Sequence, residues 1–274
     1  MPSQVVVITG ASSGFGRACA LHLAALGHSV YGTSRRAAFP SAKGTASGSP
    51  LMIPMDVRED ASVRAALDFV LEREQRIDVV VNNAGVGVAG AIEDTTPAEA
   101  RDLFETNLFG VHRVCRAVLP TLREQRSGLI VNISSLGGVV TVPFQGFYSA
   151  SKFALESMSE ALRMEVKPFG VRVTLVEPGD FKTDFTENRA FAAGAGTGSA
   201  YDERCRRAIA VMEKDERNGA DPFELARLLA KLLAEPAPRP RYPIGMWFQK
   251  LLVGFKRILP ARLLEKGIAA YYKL

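Results

Sequence analysis

The 274-residue chain has only three cysteines, Cys19, Cys115 and Cys205. They lie too far apart for a metal-ligand or disulfide pattern, so a reducing compartment, the cytoplasm, is expected. Its three histidines, His22, His28 and His112, share no ligand spacing, which argues against a zinc centre or a Ser/His/Asp triad. No metal is expected. No apolar run reaches ~18 residues, so no membrane-spanning helix is expected. Met1-Pro-Ser-Gln4 leads straight into a strand, without the charged and apolar regions of an export signal. The excess charge is small. A formal +5 is no nucleic-acid signature, though it favours anionic ligands.

What is present reads as an ordinary α/β protein: 47% hydrophobic and 23% charged residues with 24 glycines, long enough for one domain with its own core. Val5-Val-Val-Ile-Thr9 is a β-branched run suited to a strand buried on both faces. It breaks at Gly10-Ala-Ser12-Ser13-Gly14-Phe15-Gly16, after which Ala18, Leu21, Ala25 and Leu26 recur at helical spacing. A glycine-rich turn between strand and helix turns backbone N–H groups and a helix N-terminus towards an anion such as a pyrophosphate. A tight turn without a ligand is the plain alternative. A second strand over 29–33 ends in Ser34-Arg35-Arg36, where an acid would bind a ribose 2′-hydroxyl and an arginine a 2′-phosphate. With Ser12, Ser13 and Arg17 near the same loop, this pattern points to NADP(H).

Residues 37–50 read as a surface loop. A third strand, 51–55, precedes Asp56-Val57, where the aspartate could accept from an adenine amine, cap a helix over 60–75, or do both. A fourth strand, 78–81, ends in Asn82-Asn83-Ala84-Gly85, small enough for a flat ligand to approach the backbone. A helix over 97–125 carries Asn107 among Leu103, Phe104, Leu108 and Phe109. An amide there must be satisfied, by a kink with water or in a proton path. Ile130 to Ser135 is the fifth strand, ending in two hydroxyls. The next helix, to about Lys167, carries Tyr148 and Lys152 four residues apart on one face. An ammonium near a phenol lowers its pKa from ~10, which makes an acid–base of the tyrosine. Val171 to Val176 is a sixth strand, followed by Glu177-Pro178-Gly179 and Thr183.

Alternating strands and helices imply a single Rossmann-type, doubly wound parallel sheet of about seven strands flanked by helices, with a C-terminal helical extension. Every motif falls at a strand's carboxyl end, where such sheets bind ligands. Residues 1–245 make the dinucleotide-binding and catalytic domain. The less regular 184–220, with its glycines between Ala193 and Ser199, reads as an insert or mobile lid over the substrate. Residues 222–234 form a helix and 241–245 a seventh, edge strand. In 246–274, Trp247, Phe248, Leu251, Leu252, Phe255, Ile258 and Leu259 form an apolar helical stripe, with Lys250, Lys256 and Arg257 outside it. Such a helix packs on its own core, on the substrate mouth or on another subunit, or lies on a membrane surface.

Taken together, Thr9-Gly-Ala-Ser-Ser-Gly-Phe-Gly16, Asp56, Asn82-Asn-Ala-Gly85, Asn107, Ser135, Tyr148-x-x-x-Lys152 and Pro178-Gly179 resemble the short-chain dehydrogenase/reductase family to about residue 245. Phe15 replaces the family's common isoleucine. The resemblance implies Asn107, Ser135, Tyr148 and Lys152 as a catalytic tetrad, and cofactor contacts at Ser12, Phe15, Asp56, Asn83 and Thr183. It also implies homodimers or homotetramers. The Arg35 turn, the 176–183 segment and the tail look like the 17β-hydroxysteroid- and retinol-dehydrogenase-like branch. The expected activity is NADP(H)-dependent hydride transfer between a small hydrophobic secondary alcohol and its ketone, or an alcohol and its aldehyde, with Tyr148 as acid–base and Ser135 holding the carbonyl oxygen. Asn107 would position a relay water. A 3-ketoacyl-thioester reductase, a non-catalytic NADP(H) sensor and a membrane-surface protein acting through 246–274 are the alternatives.

Overall fold

The computed structural model describes residues 2–40, 48–256 and 258–274. Part of the expected 37–50 loop (41–47), Arg257 and the side chain of Leu252 lie outside the described residues. The chain runs β1 (Val5–Ile8), α1 (Gly14–Ala25), β2 (Ser29–Ser34), β3 (Leu51–Pro54), α2 (Asp60–Glu74), β4 (Val79–Asn82) and β5 (Val88–Ala89). Next come α3 (Pro97–Phe104), α4 (Gly110–Glu124), β6 (Gly128–Ile133), α5 (Gly146–Val166), β7 (Val171–Pro178) and β8 (Ala190–Phe191). It closes with α6 (Asp202–Arg217), α7 (Phe223–Ala234), β9 (Arg241–Ile244), α8 (Trp247–Phe255) and α9 (Ala261–Tyr271).

Among the described residues seven strands form one parallel sheet in the order β3-β2-β1-β4-β6-β7-β9. Strand side chains alternate faces, and β1 divides accordingly. Val5 and Val7 join a core with Val63, Leu67 and Val70 of α2, Val114 and Val118 of α4 and Leu155 of α5. Val6 and Ile8 join the opposite core with Leu23 of α1 and Leu225, Leu229 and Leu232 of α7. A run that is apolar at every position therefore buries both faces, each such side chain contributing ~1.5–3 kcal/mol. The chain leaves β1 in opposite directions towards β2 and β4, which opens a crevice at their carboxyl ends.

Three regions differ from the sequence expectations. The helix over 97–125 is broken by a π turn, Glu105–Phe109, centred on Asn107, because the buried amide is pulled towards the backbone of Val86. The segment 184–220 is more regular than expected. Cys205, Ala208, Ile209 and Met212 form the buried stripe of α6, and its outer face carries the i,i+4 pairs Asp202–Arg206, Glu203–Arg207 and Glu213–Arg217. Its glycine-rich turn is held by Ala193 N–H on Glu99 Oε1 (2.7 Å) and Ser199 Oγ on Asp94 Oδ2 (2.7 Å). The apolar tail is two helices rather than one stripe: α8 ends at Phe255, and Pro260 stands as the N-cap residue of α9.

Candidate active site

At the end of β1 the backbone turns through Gly10 at φ +65°, a conformation natural to glycine. A Cβ there would lie 2.9 Å from the Cα of Ala84. One on Gly16 would strike the Gly10 carbonyl and approach Asn83 Nδ2 to 2.5 Å. The loop is thus pressed against the end of β4. Asn83 Nδ2 donates to the carbonyls of Thr9 (2.9 Å) and Gly10 (3.2 Å), and Thr9 Oγ1 accepts from the N–H groups of Asn83 and Ala84. Helix α1 then starts with no side-chain cap on its first turn and no acid in it. Its uncapped N–H groups and the backbone-tight cradle beside them fit a dinucleotide pyrophosphate.

A cavity of about 890 Å³ runs from this loop along the carboxyl ends of the strands. Gly10, Ser12, Ser13, Gly14 and Phe15 line one part, with Ser34, Arg35, Asp56 and Val57 beside them. Asn83, Ala84, Gly85, Ser135, Tyr148, Pro178, Gly179 and Thr183 line the rest. Thr183 reaches back over the loop, 3.5 Å from where a Cβ on Gly14 would stand. Gly16, Asn107 and Lys152 are not on this lining. Asp56 does not cap α2, whose first turn begins at Glu59 without a side-chain cap. Asp56 Oδ1 instead accepts from the Arg58 N–H at 2.9 Å, closing a local turn.

Ser135 and Tyr148 face the same part of the cavity. Ser135 Oγ accepts from the Gly137 N–H (2.9 Å) and donates to the Pro178 carbonyl (3.4 Å), so neighbouring backbone fixes its direction. Behind them Asn107 is fully buried. Its Oδ1 accepts from Val86 N–H (2.9 Å), and its Nδ2 donates to the Val86 carbonyl (2.9 Å) and Ser151 Oγ (3.1 Å). Ser151 Oγ in turn donates to the Tyr148 carbonyl at 2.7 Å. The amide is satisfied by protein groups alone, and it ties the strand end beside Gly85 to the helix that carries Tyr148.

Burial, rather than the nearby Lys152, is the first influence on Tyr148 in this structure. Burial pushes the Tyr148 phenol up to about 12. The Ser135 hydroxyl pulls it down; Glu216 and Asp180 push it up and Arg189 pulls it down. Lys152 Nζ lies 5.9 Å from the tyrosine ring centroid and donates to the Ile133 carbonyl at 2.9 Å. Burial lowers its own pKa to about 8, while Glu156 acts to raise it. Desolvation is the leading influence on both groups.

Sequence reasoning missed the wall opposite Tyr148. Phe185 packs against its ring at 5.6 Å between centroids. Arg189, nearly fully buried, pairs with Glu216 of α6, whose other oxygen accepts from Thr186 Oγ1 at 2.6 Å. Asp180 is gripped by Gln249 of α8: its N–H donates to Gln249 Oε1 at 3.2 Å, and Gln249 Nε2 donates back to its carboxylate. Burial raises Asp180 to about 6. Asp180 directly follows Pro178-Gly179 and was open to notice; the Arg189–Glu216 pair spans 27 residues and leaves no local signal. Among the described residues no group of three His, Cys, Asp or Glu is arranged to hold a metal.

Comparison with known proteins adds to this geometry. The short chain dehydrogenase model matches residues 4–192. A 3-ketodihydrosphingosine reductase of Bacteroides thetaiotaomicron is 43% identical over 274 residues, covering 100% of both chains. A solved short-chain dehydrogenase from Streptomyces avermitilis superposes with a TM-score of 0.80 at 37% identity, covering 98% of each chain. A short-chain dehydrogenase/reductase from Burkholderia phymatum, in complex with NAD, reaches a TM-score of 0.74 at 28% identity and covers 88% of each.

Proposed function

The chain belongs to the short-chain dehydrogenase family, and from that premise we propose that it reduces a hydrophobic ketone with NADPH, 3-ketodihydrosphingosine being the first candidate. Its family are oxidoreductases acting on CH–OH and C=O groups, and the fold binds a nicotinamide dinucleotide. The observation that carries the reading is one cavity with the uncapped N-terminus of α1 in one part of its wall and the Ser135–Tyr148 pair in another.

The cofactor, once bound, supplies the hydride; the chain's own residues handle the carbonyl oxygen and its proton. Tyr148, protonated throughout the neutral range, donates its phenolic proton to that oxygen. Ser135 hydrogen-bonds the same atom and holds it against the phenol. Lys152 restores charge balance behind Tyr148 and is the donor for a ribose hydroxyl. Asn107 acts as a positioning residue, through Val86 and Ser151. Gly10, Ser12, Ser13, Gly14 and Phe15 hold the pyrophosphate, with Thr183 over them, and Gly16 lets the loop close against Gly10 and Asn83 behind it. Asp56 and Val57 meet the adenine, and Asn83, Ala84, Gly85, Pro178 and Gly179 the nicotinamide side. Ser34 and Arg35 take a 2′-phosphate, since no acid stands at the end of β2 and Arg35 and Arg36 both line the cavity.

The sphingoid ketone is preferred to a steroid or retinoid because the match to the Bacteroides reductase, 43% identical, covers the whole length of both chains, tail included. We also infer a 1–245 catalytic domain with 184–220 over the substrate, and a homodimer or homotetramer in keeping with the family's habit of forming oligomers. The three cysteines, all free and buried, suit the cytoplasm. The test is NADPH oxidation by purified protein with 3-ketodihydrosphingosine, a steroid ketone, retinal and a 3-ketoacyl thioester, with NADH in parallel. Turnover confined to the sphingoid ketone is expected. Turnover only on the thioester would move the chain to ketoacyl reduction, and NADPH binding with no turnover on any of them would favour a cofactor sensor.

A further inference from the structure

The net charge of this protein is carried by its tail. Of 34 basic and 29 acidic residues, six basic (Lys250, Lys256, Arg257, Arg262, Lys266, Lys273) and one acidic (Glu265) fall in 246–274, leaving 28 of each in the rest of the chain. The body is formally neutral and the last 29 residues hold the whole +5.

The same segment is two-faced. Gln249 and Val253 of α8 and Lys256 just after it share an inner side. Gln249 and Val253 line the cavity, and the Lys256 ammonium donates to the Val139 carbonyl and stands 4.3 Å from the Phe153 ring centroid. Helix α9 closes the same region with Ile268, Tyr271 and Tyr272, and Tyr271 Oη donates to Asp215 Oδ2 at 2.6 Å. On the outer side Trp247, Leu251 and Phe255, spaced i, i+4, i+8, are 71%, 50% and 49% exposed; Ile258 (81%) and Leu263 (56%) continue the patch. Lys250, Arg262 and Lys266 are exposed beside it.

We propose that this outer face docks on an anionic bilayer surface, setting the cavity mouth against the lipid so that a hydrophobic substrate enters from the membrane. Bulky apolar side chains bordered by lysine and arginine are what an interfacial helix presents to headgroups and acyl chains. The helices, 9 and 11 residues long, lie on the surface rather than span it; among the described residues no helix is long and apolar enough to cross. A second copy of the chain fits less well, because a two-fold interface would set this positive face against itself.

Trp247 is the chain's single tryptophan, so its fluorescence reports on this face without reference to turnover or to substrate identity. The full chain is titrated with phosphatidylcholine vesicles with and without phosphatidylglycerol, at low and high salt. The expected result is a blue shift of Trp247 emission with the anionic vesicles only, weakened by salt. Lys250→Glu/Arg262→Glu/Lys266→Glu is expected to lower vesicle affinity roughly tenfold or more, with melting temperature and NADPH affinity unchanged. Three results overturn the proposal: no shift with either vesicle, an equal shift on both that the triple variant retains, or a blue shift in lipid-free protein that grows with concentration as the particle doubles in size. The last would make the face a subunit interface.

Discussion

Arg241 on the edge strand β9 is the residue whose loss should damage this fold most sharply, and the damage should depend on pH. Its guanidinium donates to Glu177 Oε1 of β7 and Glu160 Oε1 of α5, each at 2.7 Å, and pairs with Glu156 of α5. The Glu177 and Glu156 side chains are only 2% and 6% exposed. Glu156 stands one helical turn beyond Lys152. Arg241→Met keeps the apolar stem and removes the charge, leaving two buried carboxylates uncompensated, a change that costs about 3–5 kcal/mol. At ~2–4 °C per kcal/mol for domains approaching this size, Tm should fall by roughly 6–20 °C. Burial already raises the Glu156 carboxyl to about 7 from an ordinary 4.5. A raised folded pKa means that this group's contribution to stability is complete below about 4.5 and lost as pH climbs through 7. Without Arg241 that pKa rises further, so the penalty should be smaller at pH 5.5, where Glu156 is protonated and only Glu177 loses its partner, and largest at pH 8.5. Thermal and urea melts of both proteins at the two pH values decide it. A loss under ~1 kcal/mol at pH 8.5, or one equal at both pH values, would refute the ion-pair argument.

Other outcomes follow from the same geometry. Tyr148→Phe should abolish ketone reduction while NADPH affinity stays within about threefold, measured by nicotinamide fluorescence; near-normal turnover would remove Tyr148 as the proton donor. Arg35→Ala should weaken NADPH by about 10- to 100-fold, the size of a lost charge-assisted phosphate bond, and leave NADH nearly unchanged. Equal losses would remove the 2′-phosphate reading. Since burial holds Lys152 near 8, kcat/KM for NADPH should decline as pH rises past about 8, where the ammonium is lost. A flat profile to pH 9.5 would contradict a role for that charge.

Much of the architecture was legible in the sequence because it rests on local rules. A short β-branched run such as Val5–Ile8, apolar at each position and bounded by the turn at Gly10, suits a strand covered on both sides, and a glycine-rich break between strand and helix marks the place where backbone must come close to something. Tyr148 and Lys152 share a face through helix geometry alone, so their kinship needed no tertiary contact. Helix α6 was legible too, in the spacing of Cys205, Ala208, Ile209 and Met212, directly after the glycine-rich turn.

Other features were decided only when distant segments met. Asn107 finds its partners at Val86 and Ser151 across a π turn that no local pattern announces. Tyr148 is governed first by burial, then by Ser135, Glu216, Arg189 and Asp180, because desolvation depends on everything packed around a group and not on its neighbours in sequence. The tail follows the same division. Its composition determined that it would be apolar and basic; only the folded chain decided that Gln249 and Lys256 turn inward, Trp247 and Leu251 outward. That choice was made by hydrogen bonds to Asp180 and Val139, 69 and 117 residues away, a separation over which periodicity carries no information.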